Sequence, residues 1–338
     1  MMLLEKIIDA AASLKASDIH IVNNMWPVFR INGELTTVDM QSFQIASFAQ
    51  NDILSEISLS DAQLALLNEK GDVDLSYRTV NGVNTRVNVS KSINGYNWAF
   101  RIINTSIPTN NELHLPLPLV QFSAAEHGLV LVCGPTGSGK STTIASLIDN
   151  ITQHEAKRII TIEDPVEYYF NNNKSLVTQR EVGKDCASFY QGLKAAMRQD
   201  PDVILVGELR DRETIATALA AAETGHLVFS TLHSGDTTEA IDRLIQYFPA
   251  ESHVQIRNEI ANSLVGIAIQ RLLPCTKGGR IAAFELLSNT SAIANLIRKN
   301  EIFQFKNYMY HSEGMQTMAE AIEGLKYKKL VAAELSYI

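Results

Sequence analysis

Nine consecutive residues, Gly134, Pro135, Thr136, Gly137, Ser138, Gly139, Lys140, Ser141 and Thr142, carry the chemistry most plainly written in this chain. The first eight fit the spacing Gly-x-x-x-x-Gly-Lys-Ser, a loop that wraps nucleotide phosphates. Glycines let successive backbone N–H groups turn inward around phosphate oxygens, and a following helix adds the partial positive charge of its N-terminus. Lys140 can reach the β- and γ-phosphates, and the Ser141 hydroxyl can bind Mg²⁺. ATP and Mg²⁺ are the expected ligand and cofactor. Hydrolysis also needs one acid to hold the metal or its waters and another to orient the attacking water. Two apolar stretches end in acids: Ile159-Ile-Thr-Ile-Glu163-Asp164-Pro165 and Asp202-Val-Ile-Leu-Val-Gly207-Glu208. Glu163 and Glu208 are the catalytic candidates, while Asp164 before a proline reads equally well as a turn cap. In Thr224-Gly-His226-Leu-Val-Phe-Ser-Thr-Leu-His233 two histidines bracket a strand-like run. His233 falls at its C-terminal end, where it can donate to a γ-phosphate. His226 has the weaker claim, because an isolated histidine is commonly structural.

These residues need a scaffold that brings strand ends together. Apolar runs at 129–133, 159–163, 203–207 and 227–231 alternate with helical patterns such as Phe189, Leu193, Ala196 and Met197. Such alternation predicts a parallel sheet covered by helices on both faces, from about residue 123 to the end. The first 105 residues read differently. Leu3, Leu4, Ile7, Ile8, Ala11 and Leu14 repeat at helical spacing. Strand-like pieces flank the hairpin dipeptides Asn32-Gly33 and Asn81-Gly82, with a further strand over 98–103 and a polar helical stretch around 42–69. This predicts a small α+β domain over 1–105. Pro108, Pro116 and Pro118 mark 106–122 as a linker.

The bulk numbers limit the alternatives. A chain of 338 residues with 46% hydrophobic and 20% charged residues is a globular, two-domain composition. A net charge of −8, without a basic stripe interleaved with aromatics, argues against nucleic acid as a partner. Three cysteines with no CxxC pair indicate reduced thiols and no zinc cluster. No run approaches the ~18 apolar residues that span a bilayer, so a cytoplasmic location is expected.

On its longer motifs the chain resembles the retraction ATPases of type IV pili, within the larger secretion-ATPase family. The resemblance runs from Ala16-Ser-Asp-Ile-His20 to Glu313-Gly-Met-Gln-Thr-Met318, and includes Ile162-Glu-Asp-Pro165, Asp202–Glu208 and Thr224–His233. It implies a PAS-like N-terminal domain, a RecA-like ATPase domain and a homo-hexamer at the inner membrane. It also implies a membrane platform protein as partner, with a paralogous pilus ATPase as a further candidate. The alternative readings are a secretion or conjugation ATPase of the same family, or a weakly hydrolysing accessory ring beside another pilus motor. Glu163 would activate water, Glu208 would act through Mg²⁺ or its waters, and His233 would sense the γ-phosphate. Arg86 and Arg101 match arginines that reach a nucleotide from the N-terminal domain, while Asn94 replaces a third. Gln270-Arg-Leu-Leu-Pro-Cys275-Thr-Lys-Gly-Gly-Arg280 has no room for the four-cysteine zinc insertion of extension and secretion motors. Ala292–Arg298 resembles a retraction signature, with Ala294 in place of an arginine.

Overall fold

The computed structural model describes residues 2–22, 25–31, 33–43, 45, 56–57, 59–93, 95–103, 106–276, 278–309 and 313–334. The chain divides into two compact units, Met1–Ser106 and Ile107–Ile338.

In the first unit, helix α1 (Leu3–Ser13) buries Leu4, Ile7, Ile8 and Ala11, the stripe its spacing predicts. Strands β1 (Asp18–Ile21), β2 (Val28–Ile31) and β3 (Glu34–Thr37) precede helix α2 (Asp61–Lys70). Strands β4 (Asp72–Arg78), β5 (Asn84–Ser92) and β6 (Gly95–Ile103) complete an antiparallel sheet of order β3-β2-β1-β6-β5-β4. Alternation along β5 and β6 sends Val87, Val89, Trp98 and Phe100 into the core. Arg86 and Arg101 take the opposite, exposed parity. The helical stretch expected over 42–69 is a 3₁₀ turn at Met40–Phe43 and then α2; residues 46–55 between them lie outside the described residues. Asn32 and Asn94 also lie outside them.

The second unit begins earlier than the prolines suggest. Residues 107–122, expected as a linker, are packed into it. Pro116 and Pro118 start helix α3 (Leu117–Phe122), where proline suits the first turn. Its Leu119 and Phe122 are buried in a core with β7 (Gly128–Cys133) and α4 (Lys140–His154). The chain continues through β8 (Arg158–Glu163), β9 (Leu176–Glu181), α5 (Phe189–Ala196) and β10 (Val203–Val206). Then follow α6 (Arg212–Glu223), β11 (Leu227–Leu232), α7 (Thr237–Gln246) and α8 (His253–Ser263). Strands β12 (Leu264–Pro274) and β13 (Arg280–Ser288), then α9 (Ser291–Lys299) and α10 (Met318–Tyr327), close it.

The sheet order is β13-β12-β7-β11-β10-β8-β9, parallel except for β13 against β12. Every residue of β7, β10 and β11 is buried, as a sheet covered on both faces requires. Leu129, Leu131 and Cys133 join the core made with α5 to α9, while Val130 and Val132 join the core under α3 and α4. One buried acid ties distant pieces together. Glu285 on β13, 2% exposed, accepts from the backbone N–H of Thr237 at the start of α7 (3.0 Å). It also accepts from that of Met318 at the start of α10 (3.4 Å). Among the described residues no helix is long and apolar enough to cross a membrane.

Candidate active site

The strand order places the C-terminal ends of β7, β11, β10 and β8 side by side. Leu232 pairs with Cys133, and Val206 pairs with both Ser230 and Ile162. At or just beyond those ends lie the phosphate loop, His233, Gly207-Glu208 and Glu163. A parallel sheet therefore gathers four distant sequence segments along one edge.

Lys140 Nζ donates to the carbonyls of Gly134 (2.9 Å) and Pro135 (3.0 Å), which lays the ammonium along the loop. Burial pulls its pKa below the usual lysine range, opposed by Cys133, Glu208 and Glu167 nearby. The Ser138 hydroxyl is buried with no hydrogen-bond partner. An orphaned donor inside a glycine loop suits a phosphate oxygen. The Thr142 hydroxyl and Tyr168 OH lie 2.8 Å apart, linking α4 to the segment after β8. Beside the loop a cavity of about 680 Å³ runs from Lys140 and Thr142 to Leu113, Leu272, Ile281 and Leu330, with polar and apolar groups both in its lining, a space of the size a nucleoside needs.

Glu163 ends β8 with one carboxylate oxygen held by Thr161 Oγ1 (2.6 Å) and Gln179 Nε2 (3.3 Å). Burial pushes its pKa up to about 7, against the hydrogen bonds from Thr161, Gln179 and the Glu167 backbone. A cavity of about 40 Å³, lined by Glu163, Ser141, Tyr168, Gly207 and Thr231, lies between this acid and the phosphate loop. That is space for about one water. Gly207 occupies the place where a metal-holding aspartate is common. A Cβ there would come 3.2 Å from Phe189 and 3.3 Å from the Ile162 carbonyl, a tight fit, and the acid of this segment sits one residue later. Glu208 pairs with Arg210, and its second oxygen lies 3.8 Å from His233 Nε2. Burial, then Lys140, lowers the His233 pKa, so the ring is neutral at pH 7 despite Glu208. Arg243 donates to the His233 carbonyl and fixes the backbone there.

Glu163, Glu208, His233 and the loop are thus brought to one edge. His226 is not: it lies at the opposite end of β11, with Nδ1 3.0 Å from the Ala221 carbonyl, capping a helix end. Asp164 is exposed in the bend after β8. Arg86 and Arg101 are direct cross-strand partners in the first unit. Each faces an acid, Arg86 with Asp74 (3.7 Å) and Arg101 with Asp18 (3.1 Å). Sequence reasoning missed Tyr168, Gln179 and Gln270. Gln270 carried a signal, a polar residue directly after the apolar run Ile267-Ala-Ile269.

Sheet order, phosphate loop and strand-end acids together define an α/β nucleotide-binding ATPase. The chain belongs to the Type II/IV secretion system protein family, whose model matches residues 1–332. It is 38% identical over 333 residues to the type IV pilus retractation ATPase PilT of Pseudomonas aeruginosa, spanning 98% of this chain and 96% of that one. It is also 38% identical over 323 residues to the uncharacterized protein YggR of Escherichia coli, spanning 95% and 97%. The crystal structure of the pilus retraction motor PilT with bound ADP superposes with a TM-score of 0.89 at 43% identity, covering 98% of this chain and 95% of that one.

Proposed function

We propose that this protein is an ATP-driven motor that retracts type IV pili, acting as a homo-hexamer on the cytoplasmic face of the inner membrane. The observation that carries the reading is likeness to a retraction motor across both units rather than across the nucleotide-binding unit alone. The β12–β13 hairpin supports the same direction of work. It pairs without a break from Gly266–Ser288 to Pro274–Arg280, which leaves a loop of a few residues where extension motors carry a zinc insertion.

In this mechanism residues 134–142 cradle the phosphates of ATP, and Lys140 neutralises charge as the γ-phosphoryl group departs. Glu163 accepts a proton from the attacking water in the small cavity beside Ser141. The Ser141 hydroxyl and the Glu208 carboxylate are hard oxygen donors that suit Mg²⁺, directly or through water, and the ion would screen phosphate charge. Neutral His233 donates to the γ-phosphate, so its contact is lost on hydrolysis. Arg86 and Arg101 from a neighbouring subunit approach the same phosphate. Contacts that ATP makes and ADP cannot make close one subunit against the next, and hydrolysis reopens them. The cycle turns a membrane platform protein and shortens the pilus, without nucleic acid or zinc. Deleting the gene should leave cells with abundant pili that do not retract; bald cells would mean assembly instead.

One observation favours a second reading, a slow accessory ring beside a stronger paralogous motor. Ala294, where the retraction signature has arginine, is buried in the α9 core face. Turnover of the purified ring, with and without a partner ATPase, separates the two.

A further inference from the structure

We propose that Gln270 is a positioning residue for nucleotide binding, one that braces the phosphate loop from behind and aims its backbone before the ligand arrives. The proposal rests on the reading of residues 134–142 as the phosphate site. Gln270 lies on β12, one residue beyond the pairing of Ile269 with Cys133, so it comes level with the start of the loop. It is 2% exposed. Its Nε2 donates to the Ser138 carbonyl (2.7 Å), and its Oε1 accepts from Thr143 Oγ1 on the first turn of α4 (2.8 Å). One side-chain amide therefore holds both the loop and the helix that follows.

The first of these bonds sets a direction. In a trans peptide the C=O and the next N–H point opposite ways. Pulling the Ser138 carbonyl back toward Gln270 turns the Gly139 N–H outward into the cradle, where a phosphate oxygen needs a donor. The second bond fixes the helix start that supplies Ser141 and Thr142. The close approach of Gln270 also explains two glycines, one through its backbone and one through its side chain. A Cβ at Gly134 would lie 2.4 Å from the Gln270 carbonyl oxygen, and one at Gly139 would lie 2.9 Å from its Nε2. Both glycines also have positive φ, +146° and +88°. Gly139 makes room for the side-chain brace, and Gly134 for the β12 backbone beside it.

At this side-chain length a donor and an acceptor together are offered by glutamine, or by a glutamic acid that keeps its proton. That gives the test. Gln270→Glu and Gln270→Leu are compared with the unaltered full chain by equilibrium binding of a fluorescent ADP analogue from pH 5.5 to 8.5. Affinity is expressed as a ratio to the unaltered protein at each pH, which removes the titration of the nucleotide and of other groups. Ionisable side chains lining the same cavity as Gln270 are Glu112, His114, Lys140, Glu167, Cys275 and Arg280, and the neighbouring strands add Cys133, Arg271 and Glu285. Burial pushes the Cys133 thiol up to about 12, outside this range.

Gln270→Leu should bind at least tenfold more weakly at every pH. Gln270→Glu should be equally weak at pH 8.5 and recover several-fold as pH falls, because the protonated acid restores both hydrogen bonds. A ratio for Gln270→Glu that stays flat with pH overturns the proposal. Thr143→Val, nearly isosteric, removes half the clasp and should weaken binding several-fold in a protein that still unfolds cooperatively, at a somewhat lower melting temperature. Undiminished binding in Thr143→Val counts against the brace even if the Gln270 variants do not fold. Lys140→Ala is the control: if it too binds normally, the phosphate-site reading itself has failed.

Discussion

On the role proposed for Glu163, turnover and stability depend on the same proton. A general base must be ionised to act, so kcat should rise with pH and level off above about 7, the value to which burial lifts this carboxyl. Glu163→Gln should still bind ATP while turnover falls by about 10²–10⁴; single-turnover measurements with radiolabelled ATP check this. The stability effect has the opposite sense. A carboxyl whose pKa is raised in the folded chain favours folding while protonated. That contribution is full below its ordinary value of 4.5 and is lost as pH climbs through about 7. Glu163→Gln should therefore be the more stable protein at pH 8, by on the order of 3 kcal/mol, with the gap closing toward pH 4.5. Denaturant titrations at the two pH values measure it. Lys140→Ala should lose nucleotide binding outright in a calorimetric titration. Glu163, Glu208, His233 and the loop were legible in the sequence because each sits where a local apolar run stops. Gln179 and Gln270 were not, because their partners lie 16 and up to 132 residues away. Only a folded sheet brings those pairs together, and no local pattern encodes them.

Among the elements, β7, β8, β10 and β11 announce themselves as short apolar runs because both faces of a parallel sheet are covered. Strand β9 is at the sheet edge, with no fully buried position, so its sequence Leu176-Val-Thr-Gln-Arg-Glu181 shows no comparable run. Strand β1 is four residues long and too short to display a period. The misread linker has a different cause. Proline reads as a breaker in the interior of a helix but as a starter at its first turn, and sequence alone did not distinguish the two at 116 and 118. The packing of α3 gives its own test. Phe122 presses on Gly266 of β12, where an added Cβ would lie 2.4 Å from the ring. Gly266→Ala should cost about 1–3 kcal/mol through overpacking, read as a lowered melting temperature. Reducing the ring with a second change, Phe122→Leu, should recover part of the loss.

At the scale of the whole molecule, the two-unit division was visible as a change of texture, whereas the arrangement of copies is outside what one chain encodes locally. If Arg101 serves a neighbour, Arg101→Ala should lower kcat at least tenfold while ADP affinity stays within twofold. Its exposed ion pair with Asp18 contributes little to stability, so the fold should survive. Mixing Lys140→Ala chains with unaltered ones should then depress turnover more than in proportion to their fraction. The Glu285 clasp has a practical corollary for work on the intact machine. Because one buried carboxyl group accepts from the first peptides of both α7 and α10, α10 is linked to the helix that follows the loop carrying His233. A fluorescent label fixed to α10 should therefore slow turnover more than one fixed to α2, which the steady-state ATPase rates of the two labelled proteins check.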